Sequence, residues 1–170
     1  LYKNNPYWVP PLEMDEMNTL RKDKNPAFEH CESEYWLAYK DGKIAGRIAG
    51  IINHLANQKW GEKVRFGWID FIDDYEVVQL LITTVIEWGK SKGMKAIHGP
   101  LGFNDMDKEG LLVYGFDKLP TIANIYNYEY YSTHLERFGL TGTEDWVQYK
   151  MVASQPVPDK IEKINKMIEE

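Results

Sequence analysis

The residues best suited to binding or catalysis lie between Gly99 and Gly139. This stretch combines glycines, acids, amides and tyrosines, and it follows neither strand nor helix periodicity. A long polar connection inside a compact domain is usually either functional or disordered. Its aromatic content argues against disorder. We therefore expect the functional site in this stretch.

Tyrosine and amide side chains near the end of the stretch would line a ligand pocket. They are Tyr126, Tyr128, Tyr130, Tyr131, Asn124 and Asn127. A tyrosine offers an apolar ring with a polar tip, as at many binding surfaces. Two alternatives remain open, namely packing of the rings across a sheet and capping of the following helix by Asn127.

Oxygen-bearing side chains occupy the first part of the same stretch. Four residues match the first, third, fifth and sixth positions of a calcium loop: Asp105, Asp107, Glu109 and Gly110. Phe116 stands at the twelfth position, where a bidentate glutamate is required. We therefore predict no metal site. We assign Asn104, Asp107 and Glu109 to an amine substrate, with turn capping by the acids as the alternative.

Histidine and cysteine supply the other reactive groups. His54 ends a predicted strand, where it would act as a general base or as a hydrogen-bonded structural residue. His98 ends a predicted parallel strand, a position where α/β sheets open crevices. Cys31 is the one cysteine, so no internal disulfide is possible and a reducing, cytoplasmic compartment is expected. We interpret its thiol as structural.

Composition limits the classes of partner. The chain has 170 residues, 44% of them hydrophobic and 14% aromatic, which indicates one globular domain with a substantial core. A net charge of −6 gives no general attraction to nucleic acid or to anionic lipid. No apolar run of about 18 residues occurs, so we predict no membrane span. The expected partner is a small-molecule amine or another small ligand.

Hydrophobic periodicity predicts alternating strands and helices after an irregular N-terminal strap, residues 1–34. The predicted elements are a short helix over Glu13 to Arg21, strands over Tyr35 to Lys40, Lys43 to His54 and Val64 to Phe71, a long helix between Asp73 and Gly93, a strand over Lys95 to His98, a helix over Ser132 to Phe138, a strand over Trp146 to Val152 and a helix over Asp159 to Glu170.

Local signals refine this series. Asp41-Gly42 predicts a two-residue hairpin turn, and Asp73 with Glu76 predicts a capping box at the start of the long helix. On the second strand Ile44, Ile48 and Ile52 share a face, with Gly46 and Gly50 between them. These glycines leave room either for a ligand close to the sheet or for large neighbouring side chains.

The order of elements predicts a mixed α/β sheet with helices packed against it. We place this domain at residues 1–153. Pro156 and Pro158 mark a linker, so residues 154–170 would form that linker and the start of a further helix. The chain is therefore expected to be part of a longer protein, with an additional domain as a possible partner.

The order of elements from Tyr35 to Val152 resembles the GNAT acyltransferase superfamily. The segment from Tyr131 to Leu140 is similar to the closing helix of that family, which ends in a Leu-Tyr-Glu-Lys-x-Gly-Phe pattern. A closer resemblance is to an uncharacterised bacterial GNAT-like family. Its recurring pieces are found here at Trp8 to Leu12, Asn25 to His30, Gly46 to Ala49, Ile52 to His54, Gly99-Pro100 and Gly110 to Asp117.

The resemblance implies a GNAT-like fold, acetyl-CoA as cofactor and transfer of an acyl group to an amine. The place of the family's pyrophosphate loop is taken by Phe71, Ile72, Asp73 and Asp74. The tyrosine that acts as an acid in the family aligns with Leu135, so Tyr130 or Tyr131 would replace it, with His54 as a base. Carboxylates at the helix start would repel a pyrophosphate. The alternative is a non-catalytic GNAT-like module that binds a small ligand or supports a partner domain.

Overall fold

A mixed four-stranded sheet forms the centre of the computed structural model, which describes residues 1–152 and 156–169. The strands lie side by side in chain order: β1 (Cys31–Lys40), β2 (Lys43–Asn53), β3 (Lys63–Phe71) and β4 (Ala96–His98). The first three are antiparallel neighbours, and β4 is parallel to β3. The helices are α1 (Glu13–Leu20), α2 (His54–Trp60), α3 (Tyr75–Ser91), α4 (Tyr130–Phe138) and α5 (Asp159–Glu169). The predicted mixed α/β class is confirmed.

The hairpin between β1 and β2 forms where its turn residues predict it. Asp41 and Gly42 have φ values of 50° and 74°, and two positive values are the signature of a type I′ turn. The register then shifts between Ala38 and Tyr39. Because of this irregularity Ile44 is 62% exposed instead of sharing the buried face of Ile48 and Ile52. The prediction was therefore wrong for Ile44.

Helix α3 covers one face of the sheet. Its apolar stripe packs against the buried side chains of β2 and β3, and the stripe consists of Val78, Leu81, Ile82 and Val85. An added Cβ on Gly50 would lie 3.0 Å from atoms of Trp36 and Trp88, whose rings pack edge to face. Large neighbouring side chains, and not a ligand, therefore fill the space beside this glycine. This was the second of the two alternatives given for it.

Two helix starts differ from the predictions. The cap of α3 is Asp74, whose Oδ1 accepts the Glu76 N–H at 3.0 Å, and not Asp73. The extended backbone of Asp74 places the first helical residue one position later than the capping box required. His54 opens helix α2 instead of ending a strand, because Asn53 Oδ1 accepts the Ala56 N–H at 2.9 Å.

A loop after β4 covers the opposite face of the sheet. The Leu101 N–H donates to the Phe66 carbonyl at 2.8 Å, so the chain is still held by β3 as it turns across it. Phe103 is then fully buried against Ala49 and Ile51 of β2. These two residues alternate with the side chains that face α3, and they therefore point to the other side.

The predicted strand over Trp146 to Val152 was wrong. These residues are exposed and belong to no strand, because no sheet edge pairs with their backbone and strand propensity alone does not form a strand. Helix α5 forms as predicted, with exposed Ile161, Ile164 and Ile168. Residues 153–155 and 170, with the predicted domain boundary, lie outside the described residues. In the part of the chain that the structure describes, no helix has both the length and the apolar character needed to cross a bilayer.

We expect Gly67→Ala to lower the free energy of unfolding by about 1–3 kcal/mol, because overpacking forces backbone shifts. The added Cβ would lie 2.6 Å from the Leu101 carbonyl oxygen. The matched control is Gly142→Ala, where a Cβ meets nothing within 4 Å, and its effect should stay within about 0.5 kcal/mol. Urea denaturation measures both variants. Equal stability of Gly67→Ala and the control would show that the loop does not lie on β3.

Candidate functional site

The edge of β3 that faces away from β2, here called the outer edge, is paired with another strand over only part of its length. Strand β4 pairs with β3 from Lys63 to Arg65, and the Leu101 N–H adds one bond at Phe66. Beyond that point, up to Phe71, no strand within residues 1–152 and 156–169 lies against this edge. Buried backbone N–H and C=O groups need partners, so other parts of the chain must supply them.

Two tyrosines at the start of α4 bind the backbone at the end of this edge. The Phe71 N–H donates to the Tyr131 hydroxyl at 3.2 Å, and the Tyr130 hydroxyl donates to the Phe71 carbonyl at 2.8 Å. The rings of Phe71 and Tyr131 also stack, with centroids 4.0 Å apart. The two tyrosine side chains that were predicted as catalytic acids therefore make the hydrogen bonds that a neighbouring strand would otherwise make.

Asp70 connects these tyrosines to the N-terminal segment. The Tyr2 hydroxyl lies 2.9 Å from Asp70 Oδ1 and 2.7 Å from the Tyr131 hydroxyl, which itself lies 3.2 Å from Asp70 Oδ1. Arg47 Nε donates to Asp70 Oδ2 at 2.7 Å and balances the charge of the carboxylate. Burial, followed by the nearby Asp70 carboxylate, raises the pKa of both Tyr2 and Tyr131. Both hydroxyls therefore stay protonated and available as donors.

Burial also limits Tyr130 as an acid. Burial is the largest cause of the rise in the pKa of the Tyr130 hydroxyl to about 12, and the Asp73 carboxylate is the second cause. An efficient general acid has a pKa near the working pH. The assignment of Tyr130 and Tyr131 as catalytic residues stays a prediction, and the hydrogen bonds of both hydroxyls are structural here.

A bulge lies in β3 just before Asp70. Trp68 and Ile69 together oppose the single residue Ile48 of β2, and Trp68 has a φ of 45°. Its indole Nε1 donates to Glu16 Oε1 of helix α1 at 2.6 Å, which holds this unusual backbone in place. Bulges and positive φ values at residues other than glycine cluster near functional sites. The bulge therefore supports this edge of β3 as the candidate site.

Two carboxylates stand at the start of α3, beside the same edge. Asp74 pairs with Lys40, whose hydrogen bond is the largest cause that lowers the pKa of the Asp74 carboxyl. Asp73 Oδ1 lies 2.7 Å from Nε2 of His134. The His134 ring packs against Phe71, Tyr75 and Tyr130. Among the described residues, its buried Nδ1 has no hydrogen-bond partner.

The predicted cofactor residues lie together here but do not fit a diphosphate. They are Phe71, Ile72, Asp73 and Asp74. The Asp74 side chain already accepts an N–H of the first turn of α3. A diphosphate would also meet two carboxylates, with a repulsion of about 1–4 kcal/mol per close charge pair. The assignment of these residues to a cofactor stays a prediction.

His54 lies away from the tyrosines that it was predicted to assist. It follows the last residue of β2, whereas Phe71 pairs with Gly46 near the first, about 25 Å away at the rise of a strand. His54 Nε2 instead lies 2.9 Å from Glu32, which also binds Lys92. The structure therefore does not bring His54 into the site at β3.

The predicted substrate residues Asn104 and Asp107 form turns. Asp107 Oδ2 accepts the N–H groups of Phe103 and Asn104 at 2.7 and 3.3 Å, and Asn104 Oδ1 accepts the Met106 N–H at 2.8 Å. These contacts match the turn-capping alternative. Glu109 is exposed on the same loop. A substrate role for the three residues stays a prediction.

Asn127 holds a loop together instead of capping α4. Its side-chain oxygen accepts the Leu112 N–H at 2.7 Å, and its amide donates to the Leu112 carbonyl at 3.1 Å. The preceding residue, Tyr126, lines a groove with a volume of about 570 Å³. The groove runs between residues 1–7 and segment 116–128. Of the residues predicted to line a ligand pocket, Tyr126 and Tyr128 are on its wall.

Sequence reasoning missed Tyr2, Asp70 and His134 as parts of this site. An acid inside an apolar strand is a usable signal for Asp70, because such a group requires partners. His134 follows Tyr130 by one helical turn, and that spacing indicates a shared face. Nothing local points to Tyr2, whose partner Tyr131 is 129 positions away.

Comparison with known proteins adds two relatives and one solved structure, whereas no family model matches. The chain is 34% identical over 166 residues to Protein YghO of Escherichia coli (strain K12). It is 29% identical over 161 residues to Bacterial ceramide synthase of Caulobacter vibrioides (strain NA1000 / CB15N). The alignments cover 95% and 94% of the chain but 42% of each relative, so the chain spans less than half of their length. The solved structure is that of a predicted acetyltransferase of Clostridium acetobutylicum with acetyl-CoA. It matches this chain with a TM-score of 0.45 and 11% sequence identity. The match covers 84% of this chain and 79% of the acetyltransferase chain.

Proposed function

We propose that this chain is part of an N-acyltransferase that joins an acyl group to the nitrogen of a long-chain amine. The observation that carries the proposal is the similarity, over 94% of the chain, to a protein named bacterial ceramide synthase. A ceramide is the amide of a fatty acid with a long-chain amino alcohol, so its synthesis forms a carbon–nitrogen bond. The GNAT resemblance implies the same type of reaction.

The reaction requires a proton acceptor. The amine nitrogen attacks the acyl carbon and the amide bond forms, while the bond from that carbon to the leaving group breaks and the leaving group takes the electron pair. The attacking nitrogen must lose a proton to become a neutral amide. A side chain positioned to accept this proton typically contributes a factor of about 10²–10⁴ in rate.

His134 is the side chain that we assign to this role. With Nε2 donating to Asp73 at 2.7 Å, Nδ1 carries the free lone pair of the neutral ring. That nitrogen has no partner among the described residues, and its ring lies against Phe71 and Tyr130 at the edge of β3. A carboxylate that orients an imidazole is the usual arrangement of a general base.

We keep acetyl-CoA as the acyl donor to be tested, although the start of α3 does not fit its diphosphate. A non-catalytic, ligand-binding module is the second candidate. It is favoured by one observation, namely that the Tyr130 and Tyr131 hydroxyls are both occupied by the Phe71 backbone. Binding and turnover measurements separate the two functions.

The first test is calorimetric titration of the full-length protein with acetyl-CoA and CoA. We expect weak, saturable binding that Asp74→Asn tightens about tenfold, since the change removes one repulsive charge and retains a good helix cap. Asp23→Asn is the matched control, because this exposed carboxylate pairs with Arg21. The absence of binding at millimolar cofactor would exclude CoA as the donor carrier. An equal effect of both variants would remove the start of α3 from the donor site.

The second test compares two histidine variants by release of the leaving group with a panel of alkylamines. His134→Gln should lower kcat/KM by about 10²-fold or more, because it removes the proton acceptor. His54→Gln should leave kcat/KM unchanged, because the His54 side chain binds Glu32 on the surface. A loss of kcat/KM in His54→Gln, with none in His134→Gln, would instead assign the role of base to His54. Turnover unaffected by either variant would reject both histidines.

A further inference from the structure

Residues 1–12, here called the arm, are attached to the domain largely through side chains. The arm has no strand or helix. Asn5 Nδ2 donates to the Tyr126 hydroxyl at 2.9 Å, and the Tyr128 hydroxyl donates to the Leu1 carbonyl at 3.2 Å. Tyr2 is buried in the core, and Trp8 packs against the same cluster. A segment without regular structure opens locally at a lower free energy than the whole domain.

Tyr2 lies between the groove and the edge of β3. Its ring is stacked between Trp8 and Tyr128, at centroid distances of 5.4 and 5.1 Å, and its edge meets Tyr126 at 6.0 Å. Both Tyr126 and Tyr128 also line the groove. The opposite end of the Tyr2 side chain reaches Asp70 with its hydroxyl. The Tyr2 side chain therefore contacts both the groove and the candidate site.

The groove suits a long apolar group. Its volume of about 570 Å³ lies within the range of about 300–1,000 Å³ that is typical of ligand sites. Aromatic rings and other apolar side chains line much of it: Leu1, Pro6, Tyr7, Phe116, Tyr126 and Tyr128. The charged groups of its lining are Lys3 and Asp117, and a single cation beside an acid provides no cationic cluster for a phosphate.

We propose that Tyr2 is a displaceable plug, and that its withdrawal joins the groove to the edge of β3 to form the binding channel of an alkylamine. The aliphatic chain lies in the groove, and the amine end takes the place of the Tyr2 hydroxyl beside Asp70. Hydrogen bonding supports this orientation, since an ammonium group is a stronger donor than a neutral hydroxyl to the Asp70 carboxylate, whose other oxygen binds Arg47. The choice of an amine rests on the proposed function.

Calorimetric titration of the full-length protein with straight-chain alkylamines, from butylamine to dodecylamine and without an acyl donor, tests the channel. We expect the affinity to rise about two- to fourfold per added CH₂ as the chain fills the groove. Tyr2→Ala should tighten dodecylamine binding at least fivefold, because displacement of the ring is no longer needed. Tyr114→Ala is the matched control, since Tyr114 is 89% exposed, and it should leave binding unchanged.

Tyr2→Phe provides a second variant that retains the stacked ring. It removes the hydroxyl that competes for Asp70, so we expect a smaller tightening than with Tyr2→Ala. An affinity independent of chain length would overturn the channel, and unchanged or weaker binding by both Tyr2 variants would overturn the plug. These titrations involve no turnover. If the protein binds alkylamines in this way but transfers no acyl group, the proposed function is rejected and the proposed channel is retained.

Discussion

The unpaired outer edge of β3 is the constraint on which the rest of the site depends. Strand β4 ends at His98, and the following loop turns across the sheet to bury Phe103 on the opposite face. The backbone at Phe71 must then find partners elsewhere, because a buried N–H or C=O without a hydrogen bond costs about 1–3 kcal/mol. The α4 tyrosines provide these partners. Their position in turn brings Tyr2, Asp70 and Arg47 into one network.

The same edge ends beside two carboxylates. The start of α3 carries Asp73 and Asp74. One of these carboxylates caps the helix and the other holds His134. Function resides in such sites and not in the arrangement of strands, so two carboxylates at one helix start limit which anions this edge can bind. The bulge at Trp68 places strained backbone beside the same site.

Local signals predicted most of the regular structure, and long-range contacts account for what they missed. Asp41-Gly42 predicted the hairpin, and the apolar period of α3 and the strand patterns identified their elements to within a few residues. The strand predicted over Trp146 to Val152 failed because pairing depends on a partner edge. In the site, tyrosines of α4 were predicted from their density. The His134–Asp73 pair joins residues 61 positions apart, so no local pattern contains it.

Amide hydrogen exchange at Phe71, followed by NMR in the wild type and in Tyr131→Phe, tests the central claim most directly. The Ile72 N–H is the internal reference, because it bonds to the Ala45 carbonyl of β2 at 2.9 Å, on the paired side of the strand. Loss of the Tyr131 hydroxyl should speed exchange at Phe71 at least tenfold relative to Ile72. Equal acceleration at both amides, or none at either, would show that the tyrosine does not complete this edge.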